Sequence, residues 1–302
     1  MENFIRMAGI QSVLFVYMLV GWGCRKSGLL KAEARQAFTE FVINITLPCM
    51  IFNSFQTGLS AEAMKSGALA LIVASAVSAA ALLIGRYAYN WAQPRERCIL
   101  QYGTLVSNAG FAGLPVVEGA YGAEGLFLGS LAIIPTRILM WSAGISLFTD
   151  APMKQRVKNV LLNPGIIAVE LGLIKMFTGL ALPGFLGKAV TSLGGCTTPL
   201  AMGIVGMILA DVDVRSVLEP KAFILVAVRQ LALPLTLLAV LKLLPVDALT
   251  LGVSVVLAGM PIGSTTAILA AKYGADAEFG SKCVFISTLT SLFTVPILTL
   301  FL

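Results

Sequence analysis

The sequence predicts an all-α integral membrane protein: ten transmembrane helices arranged as a 5+5 inverted repeat. Three observations carry that expectation. The chain of 302 residues is 58% hydrophobic and only 12% charged, with a mean hydropathy of +0.91; soluble domains are roughly 45–50% apolar and about 25% charged. Short motifs recur in the same order at offsets near half the chain length. Two apolar stretches, one in each half, are interrupted near their middle by glycine and proline.

A helix needs about 20 apolar residues to cross a bilayer. Such stretches fall at 4–23, 36–56, 66–85, 98–118, 124–148, 161–180, 187–210, 221–243, 248–270 and 280–301. The apolar run at 7–23 lacks a small-x-small cleavage site, so it reads as the first span and not as a signal peptide. The longest polar connection, TDAPMKQRVKN at 149–159, separates a first half (1–148) from a second (161–302), with 149–160 as a cytoplasmic linker. Loops after spans 1, 3, 5, 7 and 9 hold fourteen Lys and Arg, including Arg215; the N-terminus and the other loops hold five. By the positive-inside rule both termini lie outside the cytoplasm of a multi-pass cell-membrane protein.

The repeat is read from four pairs. Pro48 matches Pro199, and Pro115 matches Pro261. Tyr121-Gly122-Ala123-Glu124 matches Tyr273-Gly274-Ala275-Asp276, and SLAIIP at 130–135 matches SLFTVP at 291–296. Five spans per half is an odd number, so the second copy enters the membrane inverted, an arrangement characteristic of secondary transporters.

The stretch SNAGFAGLPVVEG at 107–119 interrupts span 4, and Gly259-Met260-Pro261-Ile262-Gly263-Ser264-Thr265-Thr266 interrupts span 9. Proline cannot donate a backbone hydrogen bond and its ring strikes the carbonyl four residues back, here that of Phe111. In lipid, broken backbone survives only where protein or a wet cavity covers it. Matching interruptions in the two halves point to a transport site near the midplane. Unwound segments are expected near 110–115 and 259–264, facing each other. The candidate substrate-binding residues are Asn108, Gly110, Gly113, Pro115, Pro261, Ser264 and Thr265, with the intramembrane Arg137 supplying positive potential for an organic anion. A structural ion pair or a carbonyl cap is the plain alternative for Arg137.

Asn108, Gly113 and Pro115 followed by Tyr121-Gly122, Asn163-Pro164 at the start of span 6, and Met260-Pro261 through Lys272-Tyr273 resemble the auxin efflux carrier family. That family includes bacterial permeases for malate and malonate and the plant auxin carriers. The resemblance covers nearly the whole chain, and absence of a long central loop places it nearer the bacterial members. It implies a bile-acid-symporter-like fold in which spans 4 and 9 cross at their breaks. Spans 1, 2, 6 and 7 would form a dimerising scaffold and the other six a moving, elevator-type transport domain. Asn108 would contact the substrate carboxylate. Cys196-Thr197-Thr198-Pro199 in span 7 departs from the plant pattern, so the resemblance does not extend to auxin as substrate.

The resulting expectation is a secondary or facilitative transporter of small organic anions working by alternating access in a lipid bilayer, as a homodimer. A sodium-coupled symporter of the bile-acid type is the alternative. Glu170 and Arg229 lie about nine and eight residues in from the same side. They are expected to pair in one access state and part in the other, as a gating or coupling latch, with snorkelling of Arg229 as the alternative. An enzyme is not expected. The chain has no histidine, no GxSG elbow, no paired intramembrane aspartates and no phosphate-binding loop. The five scattered cysteines read as free thiols. No cofactor, metal or nucleic-acid partner is expected.

Overall fold

A computed structural model describes residues 2–55, 60–149, 152–179, 182–211 and 219–302, with the side chains of 2–7, 153 and 156 left undescribed. Arg215 and the ends of the second and sixth expected spans lie outside the described residues. Twelve helical elements position the site: α1 (Glu2–Lys26), α2 (Ala32–Ser54), α3 (Ala61–Ala88), α4 (Pro94–Leu105), α5 (Ala109–Gly144), α6 (Met153–Leu161), α7 (Pro164–Thr178), α8 (Gly184–Asp211), α9 (Pro220–Lys242), α10 (Ala248–Ala258), α11 (Thr265–Lys272) and α12 (Ala277–Phe301). Six of them, α2, α3, α5, α8, α9 and α12, are long and apolar enough to cross a membrane. The short elements α4, α10 and α11 are pieces of the two interrupted spans.

The first interruption is displaced from its expected place. Backbone unwinds at Val106–Asn108, and α5 runs unbroken through Gly110, Gly113 and Pro115. The reason lies in the π-turn at Ala109–Gly113, where Leu114 N–H reaches the carbonyl of Ala109, five residues back. Pro115 therefore sits in the first turn of the α-helix that follows, where its missing N–H costs little. The real bend of α5 is at Gly122, whose φ of +66° and ψ of −156° suit only glycine. It separates what the hydropathy reads as spans 4 and 5. The second interruption, 259–264, is where the sequence places it.

The two unwound segments pair with each other. Ser107 and Ile262 form an isolated antiparallel bridge. Asn108 N–H donates to the carbonyl of Pro261 at 2.7 Å, and Gly263 N–H donates to the carbonyl of Val106 at 2.9 Å. Ile262 N–H donates to Ser287 Oγ of α12 at 3.3 Å. Gln230 of α9 then locks α12, its Nε2 donating to Ser287 C=O at 2.6 Å while its Oε1 accepts from Thr290 Oγ1 at 2.6 Å. Each half thus satisfies the backbone the other half exposes, which is the condition for broken helix at membrane depth.

Packing divides the helices into two groups. α1 lies along α8, and α2 packs on α7 and α8. α3, α4, α5 and α9–α12 pack mainly on one another. The α1–α8 contact is backbone to backbone. A Cβ at Gly21 would overlap the carbonyl of Gly203, and one at Gly206 would overlap the carbonyl of Met18. Small residues that admit such approach are the usual basis of helix association in lipid, where no hydrophobic force drives it. At one end, Asp211 of α8 bridges Arg25 of α1 at 2.8 Å and Arg35 of α2 at 3.0 Å. Glu96 and Lys221 tie the starts of α4 and α9 at 2.7 Å.

Replacing Ser287 by Ala leaves the Ile262 N–H without its acceptor. Thermal unfolding in detergent should show a loss of roughly 1–3 kcal/mol, the cost of an unsatisfied buried donor. An unchanged midpoint would mean that the crossing does not need this anchor.

Candidate functional site

At the crossing, α4 and α10 arrive with their C-terminal ends, and α5 and α11 leave with their N-terminal ends. The first amides of a helix lack intrahelical acceptors and carry about half a positive elementary charge between them. A cavity of about 240 Å3 opens beside these two N-termini. Its walls come from α2 (Thr39, Ile43, Leu47), the unwound strand and start of α5 (Val106–Phe111), the second arm of α5 (Ile133, Thr136, Arg137, Met140, Trp141), Asn163 before α7, and Gly263–Thr265 with Ile268 and Leu269. The cavity therefore lies between the two packing groups.

The polar groups on it are few. Asn108 is buried, and its side chain caps no amide of the turn it opens. Ser264 is buried beside it, and Thr265 Oγ1 accepts from the phenol of Tyr102 at 3.1 Å. Arg137 is half-buried and in no ion pair among the described residues. Its guanidinium lies between two glycines. A Cβ at Gly110 would stand 2.7 Å from its Nη2, and one at Gly165 would stand 3.3 Å from its Cζ. Gly165 is held there by Asn163, whose Oδ1 accepts from Gly165 and Ile166 N–H at 3.1 and 3.3 Å as the N-cap of α7. Glycine at 110 and 165 is thus what lets a cation lie against both helix starts.

Of the residues singled out in the sequence, Asn108, Gly110, Arg137, Ser264 and Thr265 line this one cavity. Gly113, Pro115 and Pro261 do not. Gly113 admits close packing of α5 on Leu257 and Met260, with a Cβ there 2.7 Å from Leu257 Cδ2. Pro115 is buried in the first turn of the helix, and Pro261 supplies the carbonyl that pairs with Asn108. Glu170 and Arg229 are not brought together here. Glu170 is exposed, on the same side of α7 as the exposed Ile167, Leu171 and Ile174, whereas Arg229 is 4% exposed inside the bundle. Equal depth along two helices does not fix rotation about their axes, and α7 turns its buried face, with Ile166, Val169 and Gly172, toward other neighbours. One group was missed. Trp141 lies one turn beyond Arg137 on the same face, and its indole N–H is buried without a partner among the described residues. The i, i+4 spacing from an intramembrane arginine was the available signal.

The sequence profile of the family described as "Membrane transport protein" matches residues 10–160 and 152–299. The chain belongs to that family, the family of the auxin efflux carriers. It is 29% identical over 303 residues to an uncharacterised transporter of Methanothermobacter thermautotrophicus, covering 97% of this chain and 98% of the relative. It is 26% identical over 304 residues to an uncharacterised transporter of Methanocaldococcus jannaschii, covering 94% and 95%. It is a multi-pass membrane transport protein.

Asn108→Ala should weaken binding of a carboxylate ligand by roughly 1.5–3 kcal/mol, the range for a hydrogen bond to a charged group. Gly110→Val should also weaken it, by pushing the Arg137 guanidinium off the start of α5. Ligand-dependent shifts in Tm read both effects. Folded variants with wild-type shifts would remove these residues from the site.

Proposed function

We propose that this family member carries a small organic anion across the cell membrane by alternating access, through the cavity at the crossing. The observation that carries the reading is the convergence of two helix N-termini, Asn108, Ser264 and the unpaired Arg137 on one cavity of about 240 Å3. An anion placed there meets positive potential from both halves of the chain without a buried carboxylate to repel it. The wall between the two packing groups suits alternating access. In this reading α1, α2, α7 and α8 are the dimerising scaffold, and the remaining helices slide past it with the bound ligand. The ten-span, 5+5 inverted layout belongs to the same proposal. It is supported by two interrupted helices at matching places in the chain.

The lining narrows the substrate class. Arg137 is the one cation on this cavity among the described residues, and Ile43, Leu47, Phe111, Ile133, Met140, Ile268 and Leu269 make the remainder apolar. A monocarboxylate with an apolar body is matched at both ends. A dicarboxylate would bury its second charge against hydrocarbon, which is costly without a partner.

A panel of aromatic and branched monocarboxylates against dicarboxylates of equal size, read by Tm of the purified protein, tests this. Monocarboxylates should raise Tm and be taken up by proteoliposomes, equally in sodium and in potassium media. A response to dicarboxylates alone would contradict the substrate class. Uptake that requires sodium would favour the bile-acid-type symporter instead.

A further inference from the structure

Arg229 stands in the π-turn of α9 at Ala227–Ala232 and is 4% exposed. Its Nε and Nη1 have no hydrogen-bond partner among the described residues, and it joins none of the four ion pairs found among them. It borders a second cavity, of about 40 Å3, distinct from the larger one. The polar residues around this space are Arg229, Ser78, Ser107, Thr136 and Ser254, and no carboxylate lines it. Ser78 and Thr136 hydroxyls bond each other at 3.0 Å, whereas Ser254 Oγ is buried with no partner among the described residues.

Arginine does not shed its proton in proteins. A full positive charge in a low-dielectric interior therefore needs a counter-charge, because hydroxyls and water leave it uncompensated. Among the described residues Arg229 Nε and Nη1 make no hydrogen bond to the nearby end of α10. The carbonyls of Val255, Val256 and Leu257 are already taken by the N–H groups of Gly259 and Met260. The buried side-chain atoms without a partner among the residues lining this cavity are Arg229 Nε and Nη1 and Ser254 Oγ, all of them able to donate. The space exceeds the roughly 10–15 Å3 that one water requires, yet it is a sixth of the larger cavity and has no room for an organic body.

We propose that this cavity binds one small inorganic anion of halide size, held by the Arg229 guanidinium and the Ser254 hydroxyl. The site goes beyond the substrate reading and does not depend on it. Ser107, Ala109, Ile133 and Thr136 border both cavities, so the anion and a substrate in the larger cavity press on the same wall of the crossing. Occupancy of one site then changes affinity at the other, reciprocally.

The test is thermal unfolding of the purified full chain in potassium chloride against potassium gluconate at matched ionic strength. Wild type should show a saturable rise in Tm with chloride, and Arg137→Met should keep it. Arg229→Met should lose it, while in gluconate it should be at least as stable as wild type, because it deletes an unpaired buried charge. Ser254→Ala should shift the chloride response to higher concentration. No chloride response in wild type, or one that survives Arg229→Met, overturns the proposal. Loss of the response in Arg137→Met overturns it too, by moving the anion to the larger cavity. The same series in acetate separates a free inorganic anion from a carboxylate: an Arg229-dependent response to acetate without one to chloride rejects the halide assignment. Should Arg229→Met fail to fold, anomalous scattering from bromide-soaked crystals decides, and density at Arg229 is the expected result. Its absence there sinks the idea.

Discussion

Two backbone hydrogen bonds hold the crossing together: Asn108 N–H to Pro261 C=O and Gly263 N–H to Val106 C=O. An unwound helix at membrane depth exposes amides and carbonyls that lipid cannot satisfy, at several kcal/mol each. Neither half of this chain can answer that demand alone. The pairing at Ser107 and Ile262 answers it for both halves at once, and Ser287 and Gln230 extend the answer into α12 and α9. What remains at the crossing is a set of helix starts whose amides are not consumed by the pairing. These starts border the larger cavity.

The same constraint explains where glycine is indispensable. A Cβ at Gly110 or Gly165 would crowd the Arg137 guanidinium, at 2.7 Å from Nη2 and 3.3 Å from Cζ, and displace it from the starts of α5 and α7. The approach of α1 to α8 requires bare Cα atoms at Gly21 and Gly206. The first pair sets where the Arg137 guanidinium lies beside the larger cavity, and the second joins α1 to α8, away from its lining.

Much of this was legible in the sequence. Composition fixed the solvent as lipid, and paired glycine–proline interruptions located the polar centre to within a few residues. Three features were not legible, each for a physical reason. The break lies at Val106–Asn108 and not at Pro115, because a π-turn shifts the hydrogen-bond register and leaves the proline in a first turn, where no N–H is needed. Glu170 and Arg229 do not meet in this conformation, because depth along a helix is readable from residue count whereas rotation is set by packing. Trp141 was overlooked, because a tryptophan in an apolar run is ordinary until its N–H is found buried and unpaired beside an arginine.

Two intramembrane arginines now have different surroundings. Arg137 borders a cavity of about 240 Å3, and Arg229 one of about 40 Å3. The central claim is that substrate occupies the space between the starts of α5 and α11. The direct measurement is alkylation of Ser264→Cys, in a background with the five native cysteines replaced, with and without the acid that most raises Tm. Binding at the crossing predicts that the acid slows alkylation at 264 and leaves unaffected a Ser27→Cys control, at an exposed position outside the cavity. Equal alkylation rates at 264 with and without saturating acid would contradict the account.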